Sequence, residues 1–195
     1  MSSVRSRAVV SSLRSFFENN KKVVICTSVI FVFGIVAGIL SAVRSVDGEF
    51  ERIARADMDF GSAKVFFISS LALVGGYIVI LISGHSNKTV FLAVIPFFVL
   101  GFMGGEYCCI LIARYESTGL INLLLVYMPF FLCSFVCLML AATNVLQASC
   151  TDCTKSSLKP SFVAVLKILG INVCISFVFI MIIGSIFGVV IVKLY

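Results

Sequence analysis

Long apolar stretches alternate with short polar ones along nearly the whole of this 195-residue chain. The apolar stretches cover about 23–43, 65–83, 89–113, 120–142 and 168–192, and each is long enough to cross a hydrocarbon layer that takes roughly 20 residues at 1.5 Å rise. Four of them hold no Asp, Glu, Lys or Arg, and the third holds one, Glu106. This pattern predicts an all-α membrane protein, a compact bundle of about five transmembrane helices. Two domains follow from it, a basic N-terminal segment at 1–22 and a single membrane domain at 23–195.

The intervening segments differ in character. Residues 84–88 form a short turn that makes the spans on either side an antiparallel hairpin, and 114–119 form the next short connection. Residues 143–161 read as a polar loop. Residues 12–22 suit either a short interfacial helix, with Leu13, Phe16 and Phe17 dipping into lipid, or a partly ordered tail. The longest hydrophilic stretch, 44–64, carries Asp47, Glu49, Glu51, Asp57 and Asp59. There Phe50, Ile53, Ala54 and Met58 recur at helical spacing, as in an amphipathic helix lying on the membrane. Pro96 and Pro129 mark the third and fourth spans as irregular.

Composition strengthens the membrane reading: 61% of residues are hydrophobic and only 12% charged, too few charges to cover a soluble domain. Mean hydropathy is +1.16. The net charge of +6 does not point to nucleic acid, because its basic excess gathers at Arg5, Arg7, Arg14, Lys21 and Lys22, next to the first span. Such a cluster holds the N-terminus in the cytoplasm and attracts anionic headgroups. With an odd number of spans, the C-terminus is expected outside.

Chemistry-bearing patterns are sparse. Six of the eight cysteines fall in apolar stretches and read as small hydrophobes. Cys150 and Cys153 have C-x-x-C spacing without a second ligand pair. His85 sits in a tight turn. No metalloprotease, serine-hydrolase or phosphate-loop motif occurs, so no catalytic residue, cofactor or metal is expected. Three glycine pairs, Gly34 with Gly38, Gly101 with Gly105, and Gly184 with Gly188, have the spacing that lets helix backbones approach closely. They suit packing within the bundle or a dimer face. Glu106, directly after Gly104 and Gly105, is expected to face the bundle interior or a small polar pocket, either as a satisfied structural acid or as a coupling carboxylate.

The lead-in Phe16-Phe-Glu-Asn-Asn-Lys-Lys22, followed by Phe33-Gly-Ile-Val-Ala-Gly-Ile-Leu40, resembles the opening of the stage II sporulation protein M family. Ile95-Pro96 leading to Gly101-Phe102-Met103-Gly104, and Met128-Pro129-Phe130 in the fourth span, resemble later elements of that family. The sequence departs from the family at Phe130, where a polar amide is usual, and at Glu106, where an apolar residue is usual. The resemblance implies a non-catalytic scaffold in a bacterial cytoplasmic membrane that holds peptidoglycan hydrolases during sporulation. The acidic segment 44–64 would then be the partner-binding surface, or otherwise a solvated helix. The alternative is a small transporter or the membrane subunit of one, which would place paired polar groups along a path.

Overall fold

The structure, a computed structural model, describes residues 20–44, 62–85, 89–151 and 158–183. These form five α-helices: α1 (Lys21–Arg44), α2 (Ser62–Ser83), α3 (Ile95–Asn122), α4 (Met128–Thr151) and α5 (Leu158–Ser176). A 3-10 stretch, Val90–Val94, leads into α3, and π-helical turns Leu123–Tyr127 and Phe177–Ile183 precede α4 and extend α5. Among the described residues there is no strand. Four helical stretches, Lys21–Arg44, Phe91–Ala113, Leu123–Leu146 and Phe162–Ile182, are long and apolar enough to cross a membrane, and α2 adds the shorter apolar stretch Phe67–Ser83.

Helix directions follow from residue pairs. Gly34 faces Phe98 and Gly101, and Gly38 faces Phe102 and Glu106, so α1 and α3 run parallel. Tyr107 stacks on Tyr127 with ring centroids 5.7 Å apart, and Phe97 meets Phe135 at 5.6 Å. A straight helix would hold Tyr107 and Tyr127 about 30 Å apart at 1.5 Å per residue, so the chain reverses between them and α4 runs antiparallel to α3. Ser134 bonds Asn172, and α5 lies along α4. Parallel α1 and α3 require a return passage between them, and α2 supplies it: Thr89 Oγ1 donates to the Ser83 carbonyl at 3.1 Å, closing the turn that brings Gly76 beside Pro96.

Lipid is the evident solvent of the outer faces. Phe33, Phe67 and Leu71 are 70%, 71% and 76% exposed, a cost that water would not permit along whole helices. Inside, Tyr77, Ile80, Phe97, Phe130, Leu138 and Met139 are fully buried.

The helices differ from the sequence expectation at their ends. The segment 114–119, expected as a connection, stays in helical turns, and the chain reverses without an open loop. The polar loop expected at 143–161 shrinks, because α4 continues to Thr151 and α5 begins at Leu158. Polar side chains continue the helix by bonding back to it: Thr143 Oγ1 donates to the Met139 carbonyl at 2.9 Å and Asn144 Nδ2 to the Leu140 carbonyl at 2.8 Å. The last helix accordingly starts before the expected span of 168–192, and exposed Lys167 lies within its apolar stretch, where a long lysine can reach the interface. Both prolines sit where the helix type changes within a span: Pro96 just after the 3-10 stretch Val90–Val94 and Pro129 just after the wider π-helical turn Leu123–Tyr127, which is the irregularity expected there.

Candidate functional site

Two places in the bundle gather the groups that could carry a function. The first is the seam between α1 and α3. A Cβ built on Gly34 would overlap the Phe98 carbonyl oxygen, one on Gly38 the Phe102 carbonyl, one on Gly101 the Phe31 carbonyl and one on Gly105 the Ile35 carbonyl. Each helix thus sets two glycines against two carbonyls of the other, an arrangement with an approximate two-fold axis and geometry suited to Cα–H···O contacts. These two glycine pairs meet each other within one chain. Gly184 and Gly188 lie outside the described residues.

The symmetry is written in the sequence. Phe31-Val-x-Gly34-x-x-x-Gly38 recurs as Phe98-Val-x-Gly101-x-x-x-Gly105. Scanning for a repeat, as opposed to isolated glycine pairs, would have joined α1 to α3 in advance. The repeat ends where Ile39 of α1 corresponds to Glu106 of α3.

Glu106 sits at the end of this seam, half-buried, with the Gly38 side of α1 directly beside it: a Cβ on Gly38 would lie 3.0 Å from the Glu106 backbone nitrogen. The Ser41 hydroxyl of α1 donates a hydrogen bond to the Glu106 carboxylate. The close approach permitted by glycine therefore delivers a donor to the acid, toward the Ala113 end of the apolar stretch and about 10 Å from it. Glu106→Gln keeps an acceptor for Ser41 and is expected to insert and accumulate as the parent does. Glu106→Leu removes the interhelical bond to Ser41 and is expected to lower the detergent-solubilised yield and the melting midpoint, the latter by the equivalent of about 0.6 kcal/mol. Loss of function by Glu106→Gln with unchanged yield would assign the charge a functional role.

The second place is a buried polar network joining three helices. Ser134 Oγ on α4 donates to Asn172 Oδ1 on α5 at 3.0 Å, and Asn172 Nδ2 donates to the Tyr77 hydroxyl on α2 at 3.1 Å. Ser176 Oγ returns to the Asn172 carbonyl at 2.8 Å. Ser134, Asn172 and Ser176 are fully buried and Tyr77 is 1% exposed, so these bonds lie in a dry interior where an unmade bond is costly. Asn172 was legible as a polar residue in an apolar stretch; Tyr77 and Ser134 were not, because hydroxyl groups are common in membrane helices.

No family model, curated protein or solved structure matches the chain. The resemblance to the stage II sporulation protein M family therefore stands on its short motifs alone.

The remaining candidates fall elsewhere. His85 is exposed at the α2 turn, where its backbone N–H donates to the Ile82 carbonyl at 3.1 Å. Among the described residues no group of three His, Cys, Asp or Glu comes together as metal ligands. Asp47, Glu49, Glu51, Asp57 and Asp59, and Cys153, lie outside the described residues.

Proposed function

We propose that this protein is a non-catalytic membrane scaffold. The observation that carries the reading is how its interior polar groups are used. Tyr77, Ser134 and Asn172 bond to one another across three helices, and Thr27, Ser83, Thr143 and Ser176 bond back to helix carbonyls. A transport path needs polar groups presented to a passing solute. These groups instead fix helix positions, and a cleft of about 180 Å³ between α2, α3 and α4 is lined by apolar side chains with Ser69 as its one polar side chain. A rigid bundle with lipid-facing sides suits a platform that holds other proteins at the bilayer.

The class of partner, peptidoglycan hydrolases at a bacterial cytoplasmic membrane, comes from the family resemblance; the basic N-terminal cluster supports an N-terminus inside and a C-terminus outside, and the long acidic segment 44–64 is then the docking surface. Reversing the charges of Asp47, Glu49, Glu51, Asp57 and Asp59 together is expected to reduce recovery of a peptidoglycan hydrolase in a pull-down from membranes by about tenfold or more, the loss of several favourable charge contacts. Unchanged recovery removes the segment from the proposal, and labelling of Cys153 from the exterior reverses the orientation.

A further inference from the structure

We propose that the N-terminal end of the α1–α3 pair is a binding site for one anionic glycerophospholipid. A groove of about 260 Å³ opens there between α1, the 3-10 stretch before α3, and α4, with Val23, Cys26, Phe91, Val94, Phe97 and Leu146 along its walls and Lys22 at its mouth. The apolar walls match an acyl chain, and the ammonium at the mouth matches a phosphate.

Position and chemistry agree. Lys21 and Lys22 begin the apolar stretch Lys21–Arg44, so the groove starts at the depth where headgroups sit and runs into the hydrocarbon. Lys22 is exposed and free to turn toward a headgroup. An acyl chain gains little by moving from bulk lipid into an apolar groove, since both are hydrocarbon. The groove therefore supplies shape, and selectivity must come from the charge at Lys22. This makes the site discriminate by headgroup and not by chain. The proposal is independent of the scaffold reading, since it concerns a lipid and not a protein partner.

The test uses the full chain in detergent, with phosphatidylglycerol or phosphatidylcholine of identical acyl chains added, and counts retained lipid by native mass spectrometry. Phosphatidylglycerol is expected to be retained roughly fivefold over phosphatidylcholine, the increment of one basic residue near an anionic group. Lys22→Gln should abolish that preference, and Lys167→Gln, an exposed lysine on α5, should leave it intact. Cys26→Phe, which fills the groove from an exposed position, should lower retention of both lipids. A diazirine-tagged acyl chain should label peptides containing residues 23–27 and 91–97. Equal retention of the two lipids, or equal effects of Lys22→Gln and Lys167→Gln, would overturn the proposal, as would labelling confined to other helices.

Discussion

Replacing Gly101 by alanine is expected to destabilise the bundle, as is the same change at Gly38 or Gly105, where an added Cβ also meets a backbone carbonyl of the facing helix. At Gly101 the added Cβ would meet the Phe31 carbonyl, and the next nearest atom, the Ile35 backbone nitrogen, lies 3.1 Å away. Backbone cannot rotate aside as a side-chain tip can, so α1 and α3 must separate as rigid rods. Overpacking commonly costs about 1–3 kcal/mol, and the rigidity of both walls places Gly101→Ala at the upper end of that range. Gly75→Ala is the matched control. Nothing lies within 4 Å of a Cβ there, so the added methyl should be neutral or stabilise the helix by up to about 1 kcal/mol. Thermal melting midpoints in detergent decide the matter: Gly101→Ala should fall well below the parent, and Gly75→Ala should match or exceed it. Equal midpoints would mean that the seam is not close-packed.

Asn172→Leu is the second substitution expected to have a large effect, and its pattern is more informative than its size. Leucine fills a similar volume but leaves the Tyr77 and Ser134 hydroxyls without the amide that joined them. Ser134 can turn to the carbonyl four residues back on its own helix, as serine commonly does. Tyr77 cannot, because its ring fixes where the hydroxyl lies. An unsatisfied buried hydroxyl costs about 1–3 kcal/mol, whereas hydrogen bonds between membrane helices average about 0.6 kcal/mol when both partners are removed cleanly. Tyr77→Phe alone leaves the buried Asn172 Nδ2 without this acceptor and should likewise cost about 1–3 kcal/mol. Tyr77→Phe combined with Asn172→Leu should be more stable than Asn172→Leu alone, a reversal of ordinary additivity. Strict additivity in denaturation of the four proteins of this cycle would show that the two side chains are not coupled.

The all-helical class and the rough placement of the spans were legible because lipid imposes a length and an apolar composition that no other environment demands. Helix ends were less so. The residues 143–151 are polar enough to suggest a loop, but Thr143 and Asn144 satisfy themselves on carbonyls of their own helix, a bond that composition does not display. Pro96 and Pro129 pointed to irregular spans, and each lies just after a change of helix type within its span, the 3-10 stretch Val90–Val94 and the π-helical turn Leu123–Tyr127, because proline takes one donor out of the helical ladder. Of the candidate groups, the glycines and Glu106 stood out by residue type and spacing. The donor to Glu106 did not, since Ser41 becomes its neighbour only once α1 lies against α3. Tyr77, Asn172 and Ser134 come from three separate helices, and no local pattern links them.

The seam between α1 and α3 also governs the order in which the protein can be built. Helix α1 touches the rest of the bundle almost entirely through α3, and scarcely touches α2. The ribosome therefore releases α1 into the bilayer well before the surface it fits exists, and at about 5–20 residues per second that wait lasts some seconds. During it the glycine stripe of Gly34 and Gly38 is bare to any passing helix. The recurrence of the same eight-residue pattern on α3 ties that stripe to a surface of matching spacing, and makes the arrival of residues 98–105 the step that ends its exposure.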